Sequence, residues 1–257
     1  MKVVQLLPDL EGGGVEKGTL EVARYLVGQG HESIVISAGG RLVEALERDG
    51  SRHVSWDLGR KSPMTLRHIW ALRRWLRRER PDILHLRSRM PAWVAWHAWK
   101  GLPVGERPGL VTTVHGLYSV SRYSEVMCRG ERVIAVSKTV QDYISRNYPD
   151  TDMGRVRLIY RGIDPQEFPF GYRPVDKWLE RWKNEYPLLQ GRRVLTLPGR
   201  LTRLKGHHDF IDLMAALRAD GLPVHGLIVG GEDPKRQAYA AEIRRRIAAG
   251  GSARTLP

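Results

Sequence analysis

The stretch VLTLPGRLTRLKG at residues 194–206 decides the fold of this chain. Residues 194–197 form an apolar run that predicts a buried strand, and the periodicity after the stretch predicts a helix over 207–219. The loop between them carries Arg200 and Lys205. Loops after the strands of an open parallel sheet bind ligands, and the amino end of a helix favours anions. The stretch therefore predicts an α/β fold with an anion-binding loop, and a solvated basic turn is the alternative for that loop.

The same alternation of strand and helix extends outward through the whole chain. Strands are predicted at 3–7, 33–38, 53–58, 83–86, 110–114, 132–136, 156–160, 194–197 and 225–229, and helices at 15–27, 42–46, 65–80, 92–99, 138–147, 175–186, 207–219 and 235–248. Such alternation is typical of crossover units and a mostly parallel sheet. Ser137 is expected to cap the helix that follows it.

We predict two domains from this alternation. Seven strands before residue 165 indicate a complete doubly wound, Rossmann-like domain over residues 1–165. Residues 166–192 are predicted to form an inter-domain linker and helix, and residues 193–257 a partial second Rossmann-like domain with two strands. The residues after Gly250 continue no pattern.

Basic residues are unevenly distributed. The 257 residues carry a net charge of +14, which indicates a polyanionic partner. Residues 60–100 hold eleven Lys or Arg and two acids. The helix predicted over 65–80 either packs on the sheet with a solvated basic face or docks to an anionic membrane surface. The regularly spaced Trp93, Trp96 and Trp99 fit a core position, an interfacial patch or an acceptor groove equally well. No recognisable nucleic-acid module accompanies this charge, so nucleic acid is an unlikely partner.

Three further features bear on the cellular location. No apolar run approaches the ~18 residues that a membrane span needs, and the amino terminus lacks the pattern of a signal peptide. Cys128 has no second cysteine to pair with, and we expect it to be a small buried hydrophobe rather than a nucleophile. We therefore expect a cytoplasmic protein, with peripheral attachment to the inner face of the plasma membrane left open.

The glycines at 12–14 lie between the first predicted strand and the first predicted helix. Glycine lets a backbone approach a ligand closely, and the helix that follows adds partial positive charge. The run does not match the dinucleotide fingerprint G-x-G-x-x-G. These residues alone are consistent with contact to a phosphate or sugar and equally with a flexible surface loop.

Two histidines end predicted strands. His115 is followed by glycine and is a candidate for a hydrogen bond with a substrate hydroxyl, although a structural role stays open. His85 is flanked by leucines, so we expect a packed or partner-bonded side chain there. His207 and His208 lack the carboxylate or cysteine spacing of a metal site, and no metal is assigned.

An ordered set of short motifs runs along the chain. They are GGVE at 13–16, RPDILH at 80–85, VHG at 114–116, AVS at 135–137, RGID at 161–164 and GRLTRLKGH at 199–207. In this order and spacing they resemble the family 4 glycosyltransferases (glycosyl transferases group 1), which are retaining nucleotide-sugar enzymes of the GT-B fold. The resemblance covers residues 1 to about 250, and its strength lies in the ordered set rather than in any one motif.

The resemblance implies a nucleotide-sugar donor held mainly by the carboxyl-terminal domain and an acceptor held mainly by the amino-terminal one. By match, Arg200 and Lys205 would hold the donor diphosphate, and Gly13 and Gly14 would approach the phosphate or sugar. His115 would be the catalytic residue that contacts the donor sugar. Such enzymes are described with front-face attack, in which the leaving phosphate helps to deprotonate the acceptor. No protein nucleophile, metal or other cofactor is then expected.

We predict a glycosyltransferase that transfers a sugar with retention to a cell-envelope glycan or glycolipid, such as a lipopolysaccharide core. The family's acidic pair, spaced Glu-x7-Glu, does not occur in the sequence. We therefore expect a truncated carboxyl-terminal domain and weak or no activity from this chain alone. The alternatives are a non-catalytic membrane- or acceptor-binding remnant and, ranked lower, a nucleic-acid binder.

Overall fold

The chain divides into two compact units, Met1–Ile163 and Asp164–Pro257. The computed structural model describes residues 1–60, 62–231, 237–250 and 253–256. Because the two units are separate bodies, each is described by itself.

A seven-stranded sheet forms the centre of the first unit. In chain order the elements are β1 (Lys2–Leu6), α1 (Gly14–Gly28), β2 (Glu32–Ser37), α2 (Val43–Arg48), β3 (Arg52–Ser55), α3 (His68–Glu79), β4 (Ile83–Leu86), α4 (Arg89–Lys100), β5 (Gly109–Val114), α5 (Arg122–Glu125), β6 (Arg132–Ala135), α6 (Lys138–Asn147) and β7 (Val156–Leu158). The strand order is β3-β2-β1-β4-β5-β6-β7, and every pair is parallel. The predicted doubly wound sheet of seven strands is confirmed.

Apolar side chains on both faces of the sheet explain why these strands are nearly continuous hydrophobic runs. Along β2, Ile34 and Ile36 pack into one buried cluster, whereas Val35 packs into another with Leu7 and Leu20. Successive side chains of a strand point to opposite faces, so each cluster lies on its own side of the sheet. Burial of each such side chain is worth about 1.5–3 kcal/mol.

The basic helix begins and ends at identifiable residues. A short 3₁₀ turn at Pro63–Arg67 leads into α3, and Arg80 ends it with a left-handed backbone, φ 47°. Leu72, Trp75 and Leu76 face the core, which leaves the arginines on the other face. In α6, the predicted cap is confirmed because the Ser137 hydroxyl accepts a hydrogen bond from the Val140 amide at 3.2 Å.

The tryptophans of α4 pack against the core of the first unit. Trp93 Nε1 donates to the Tyr123 carbonyl at 3.0 Å, and Trp99 Nε1 donates to the Pro108 carbonyl at 2.8 Å. The polar ring atoms of Trp93 and Trp99 thus each have a backbone partner, as is usual for tryptophans that pack into a core. Of the three roles left open by the sequence, core packing accounts for Trp93 and Trp99.

The second unit contains a smaller parallel sheet of order β10-β9-β8. Its elements are α7 (Asp176–Glu185), β8 (Arg193–Pro198), α8 (His207–Ala219), β9 (Val224–Val229), α9 (Gln237–Gly250) and β10 (Ala253–Leu256). The first two residues of the helix predicted over 235–248 lie outside the described residues.

The prediction of two strands in this unit is wrong, because β10 is a third. It pairs in parallel with β9, Ala253 opposite Gly226. The sequence ARTL has neither a sustained apolar run nor a clear alternation. Backbone hydrogen bonds to the otherwise open edge of β9 place it in the sheet, and those bonds leave no sequence signal.

Candidate functional site

The point at which the strand order reverses lies beside β1 in the first unit. The chain runs from β1 outward to β2 and β3, and then returns to β4 on the other side of β1. Ligands of open α/β sheets bind at the carboxyl ends of the strands near such a point. The segments that leave this edge carry Gly12–Gly14 after β1, Arg87 after β4, His115 after β5 and Arg161 after β7.

The glycine loop after β1 already holds a carboxylate. Glu16 Oε2 accepts hydrogen bonds from the amides of Gly12 and of Gly13, the latter at 2.6 Å. Gly12 has φ 138°, a backbone conformation that L side chains rarely adopt. The negative charge of Glu16 lies at the positive end of α1 and stabilises it. The phosphate or sugar contact expected of Gly13 and Gly14 stays a prediction, and a phosphate at the Gly13 amide would have to displace Glu16.

His115 is held at the end of β5 through its backbone. Its amide donates to the Tyr118 hydroxyl at 3.2 Å, and the Tyr143 hydroxyl donates to the Tyr118 carbonyl at 2.6 Å. Both ring nitrogens are buried, and neither has a hydrogen-bond partner among the described residues. Burial, reinforced by the charges of Arg87 and Arg161, lowers its pKa to about 3. A neutral ring with one donor and one acceptor nitrogen is therefore available to a ligand.

Arg87 is a site residue that the sequence analysis missed. Its side chain is only 5% exposed, and its Nη1 donates to Gln5 Oε1 at 2.9 Å. Its Nε has no partner within the described residues. Burial, and then the neighbouring charge of Arg161, lowers the pKa of Arg87 to about 10. The residue follows RPDILH directly, but nothing in the sequence indicates that this arginine, among so many, is buried.

Arg161 belongs to the RGID motif, from which no role for its side chain follows, and its guanidinium lies against α1. A Cβ at Gly18 would collide with Arg161 Nη2 and lie 3.4 Å from Arg87 Nη2. Both guanidinium groups thus lie beside the same turn of the helix. Arg161 Nη2 is also 3.7 Å from Glu21 Oε2. A glycine inside a helix is unfavourable by about 0.5–1 kcal/mol relative to alanine, and the close approach of Arg161 accounts for it here. Gly18 was the signal that could have identified this contact.

The predictions for His85 and Cys128 can be compared directly with the structure. His85 is buried, and its Nε2 lies 2.7 Å from the Thr113 hydroxyl, so the partner-bonded histidine is confirmed. Cys128 is buried, as expected, and burial raises the pKa of its thiol to about 11. His208 lies beside Arg246 and Glu242. Across the described residues, no cluster of three potential ligands could hold a metal ion.

The loop between β8 and α8 of the second unit carries three cations, one of which is paired with a carboxylate. Arg203 pairs with Glu242 at 2.9 Å and lies over the Tyr239 ring. Arg200 and Lys205 are exposed, and no hydrogen bond or ion pair joins either side chain to another described residue. Lys205 lies along the backbone of Gly199, where a Cβ would be 3.4 Å from its Cδ. The loop therefore presents two unpaired cations, which the sequence could not separate from Arg203.

The end of this loop is shaped for the helix that follows. Gly206 takes a left-handed backbone, φ 69°, and directly precedes α8. Leu201 is buried and anchors the other side of the loop through its amide, which donates to the Gly231 carbonyl at 3.3 Å. Free amides at the start of a helix attract anions. The geometry is compatible with the diphosphate role predicted for Arg200 and Lys205, which stays a prediction.

Comparison with known proteins decides the family. The model of Glycosyltransferase Family 4 matches residues 12–167, more than half of the chain. The chain belongs to this family. No curated protein matches it. The matched range contains the glycine loop, Arg87, His115 and Arg161, so the site of the first unit lies within the family region.

Solved structures support the same assignment for this family 4 glycosyltransferase. A glycosyltransferase from Rickettsia africae ESF-5 is 28% identical, with a TM-score of 0.81 over 99% of this chain and 67% of that one. HepE from Anabaena, solved with UDP and glucose, is 19% identical, with a TM-score of 0.76 over 100% of this chain and 69% of that one. The lipopolysaccharide outer core galactosyltransferase WaaB is 15% identical, with a TM-score of 0.65 over 100% and 68%.

These similarities confirm the predicted fold class and the enzyme class. The fold is that of the GT-B glycosyltransferases, and the chain is a glycosyltransferase by family and fold. It spans about two thirds of the length of the solved proteins just named. None of its helices within the described residues combines the length and apolar character that crossing a membrane requires.

Proposed function

We propose that this family 4 glycosyltransferase transfers a sugar from a nucleotide-sugar donor to a cell-envelope glycan or glycolipid, with retention at the anomeric carbon. The observation that carries the proposal is the exposure of Arg200 and Lys205 on the strand-to-helix loop of the second unit, where neither side chain pairs with another described residue. Solved neighbours with UDP and UDP-glucose, and others named for lipopolysaccharide synthesis, support the donor and acceptor classes.

The proposed roles follow from charge and geometry. Arg200 and Lys205 bind the donor diphosphate, the first with a planar fork and the second as a point charge. His115 offers its neutral ring to a hydroxyl of the donor sugar. Gly13 and Gly14 approach the phosphate or sugar after the Glu16 carboxylate has released the amides of Gly12 and Gly13. The two cations stabilise the charge that develops on the leaving group, so we expect transfer without a metal or other cofactor.

The proposed reaction needs no protein nucleophile. The acceptor hydroxyl oxygen bonds to the anomeric carbon on the face that the diphosphate leaves, while the carbon–oxygen bond to the phosphate breaks with its electron pair. The hydroxyl proton passes to an oxygen of the leaving phosphate. The sugar therefore keeps its anomeric configuration, and the nucleoside diphosphate departs.

The test compares the three cations of the loop in the full chain. Titration with UDP, GDP and ADP and their sugars identifies the donor, and a transfer assay with the pooled sugars measures turnover. Arg200→Gln or Lys205→Gln should raise Kd for the nucleoside diphosphate about tenfold or more, because each removes a charge-assisted contact. The matched control Arg203→Gln should leave Kd close to wild type. Absence of any nucleotide-sugar binding, or equal losses in all three variants, would refute the donor role of this loop.

A second candidate function is docking to an anionic membrane surface through residues 60–100, at the inner face of the plasma membrane. The observation that favours it is Trp70 on α3, which is 70% exposed, with the Arg73 guanidinium 4.9 Å from its ring centroid. Tryptophan favours the membrane interface, and cations beside it attract anionic lipids. Docking in a cytoplasmic protein would bring the enzyme to a glycolipid acceptor. Membrane docking would equally suit a binding module without transferase activity.

A further inference from the structure

Two guanidinium groups converge beside α1 in the first unit. Arg87 and Arg161 come from the ends of β4 and β7, and both approach Gly18 on α1. Two segments far apart in sequence thus direct hydrogen-bond donors to one turn of this helix.

The positive charge at this cluster is poorly neutralised. Gln5, the hydrogen-bond partner of Arg87, is uncharged. Glu21 is the acid paired with Arg161, and its side chain is 61% exposed, so water screens that pair. Arg87 makes no ion pair with any described residue. Glu21 also acts electrostatically on Arg87, but a buried guanidinium that makes no ion pair is costly to maintain, which points to an anion that this site binds.

An unused hydrogen-bonding atom indicates where that anion would lie. Arg87 Nε is buried without a partner among the described residues. The Arg87 side chain is 5% exposed, so water does not replace the missing partner freely. Buried polar atoms in native structures nearly always have a partner, and a bound oxyanion would supply one to Arg87 Nε.

We propose that Arg87 and Arg161 form a binding site for a phosphate group carried by the acceptor, while His115 keeps its role toward the donor sugar. Two guanidinium forks match the several oxygens and the double negative charge of a phosphate better than those of a single carboxylate. The assignment to the acceptor rests on the proposed function, in which Arg200 and Lys205 of the second unit hold the donor diphosphate. The acceptor is then a phosphorylated glycan or glycolipid.

The experiment measures inorganic phosphate binding to the full chain in which Arg200→Gln and Lys205→Gln have removed the donor loop. In that background, Arg161→Gln should raise Kd for phosphate about tenfold or more. Arg48→Gln, which removes a surface arginine paired with Glu44, is the matched control and should leave Kd unchanged. Phosphate binding that is absent, or insensitive to Arg161→Gln, would overturn the proposal.

A second variant keeps every charge in case Arg161→Gln fails to fold. Gly18→Ala places a methyl group where Arg161 Nη2 lies, so it should displace that guanidinium and weaken phosphate binding in the same direction. Retention of wild-type affinity in this variant would count against the proposed geometry.

Titration with UDP separates this proposal from the proposed function. In the otherwise unchanged chain, Arg161→Gln should leave Kd for UDP unaltered, and a parallel loss of UDP affinity would overturn the assignment to the acceptor. A chain that binds phosphate through Arg161 but binds no nucleotide or nucleotide sugar would support the phosphate site and refute the nucleotide-sugar function instead.

Discussion

At the scale of single residues, the state of each cation depends on its neighbours rather than on its position in the sequence. Arg203 is neutralised by Glu242, whereas Arg200 and Lys205 on the same loop are exposed and pair with no other residue that the structure describes. Arg87 is buried next to an uncharged glutamine. A chain with 42 Lys and Arg offers many candidates for an anion site, and burial with missing counter-charges selects among them.

The lowered pKa of His115 predicts a pH dependence of stability. Its folded pKa is about 3, and its unfolded pKa is about 6.5. Between these values the unfolded state binds the proton and the folded state does not, so the free energy of unfolding falls as pH falls through this range. Above pH ~6.5 this stability is fully present. Below that pH the free energy of unfolding falls by up to about 1.4 kcal/mol per pH unit.

Urea unfolding of wild type and His115→Gln at several pH values checks this prediction. The variant should show a shallower loss of unfolding free energy on acidification from pH ~6.5. Parallel pH profiles for the two proteins would show that His115 is not held neutral in the folded state.

At the scale of elements, α1 combines two properties that seldom occur together. Its amino end binds the carboxylate of its own Glu16, and its body contains Gly18 against two guanidinium groups. The helix thus supports a cationic cluster along its side while its positive end is already satisfied. This arrangement explains the glycine at position 18 of α1.

Gly18 and Gly28 of α1 make a matched pair for a stability test. Gly28→Ala meets nothing within 4 Å, and it should raise the free energy of unfolding by about 0.5–1 kcal/mol through the restricted unfolded chain. Gly18→Ala should gain less, because its Cβ collides with Arg161. Thermal or urea unfolding measures both changes. In an Arg161→Ala background the collision is absent, so Gly18→Ala should there raise the free energy of unfolding as much as Gly28→Ala does. Equal gains in the two single variants would contradict the close packing of Arg161 on α1.

At the scale of the whole molecule, the net charge of +14 governs encounters with polyanions of every kind. Long-range attraction of this type is screened by salt. Specific docking needs an apolar contribution in addition, and the exposed Trp70 of α3 supplies one on the basic region of the first unit.

Co-sedimentation with vesicles containing anionic lipid tests membrane docking of the full chain. Trp70→Ala should weaken binding several-fold because it removes an interfacial side chain. Trp178→Ala is the matched control, since Trp178 is 43% exposed on α7; it should bind as wild type. Binding that responds only to salt, and equally in both variants, would indicate general electrostatic attraction instead of docking through α3.

Local pattern was sufficient for most of the fold. Helix and strand periods located every long element to within a few residues, because each buries a continuous apolar face that the sequence must encode. The short β10 was missed, since its place depends on the open edge of β9 and not on its own residues. The ordered motifs likewise identified the family, because their spacing follows from the strand-to-helix connections.

The sequence by itself determined the α/β class, the seven-stranded first sheet and the family to which the chain belongs. Only the tertiary structure decided which charges are free: it buried Arg87, laid Arg161 against Gly18 and paired Arg203 with Glu242. The reason is physical. Periodicity is a property of neighbours along the chain, whereas desolvation and charge pairing depend on residues that only folding brings together.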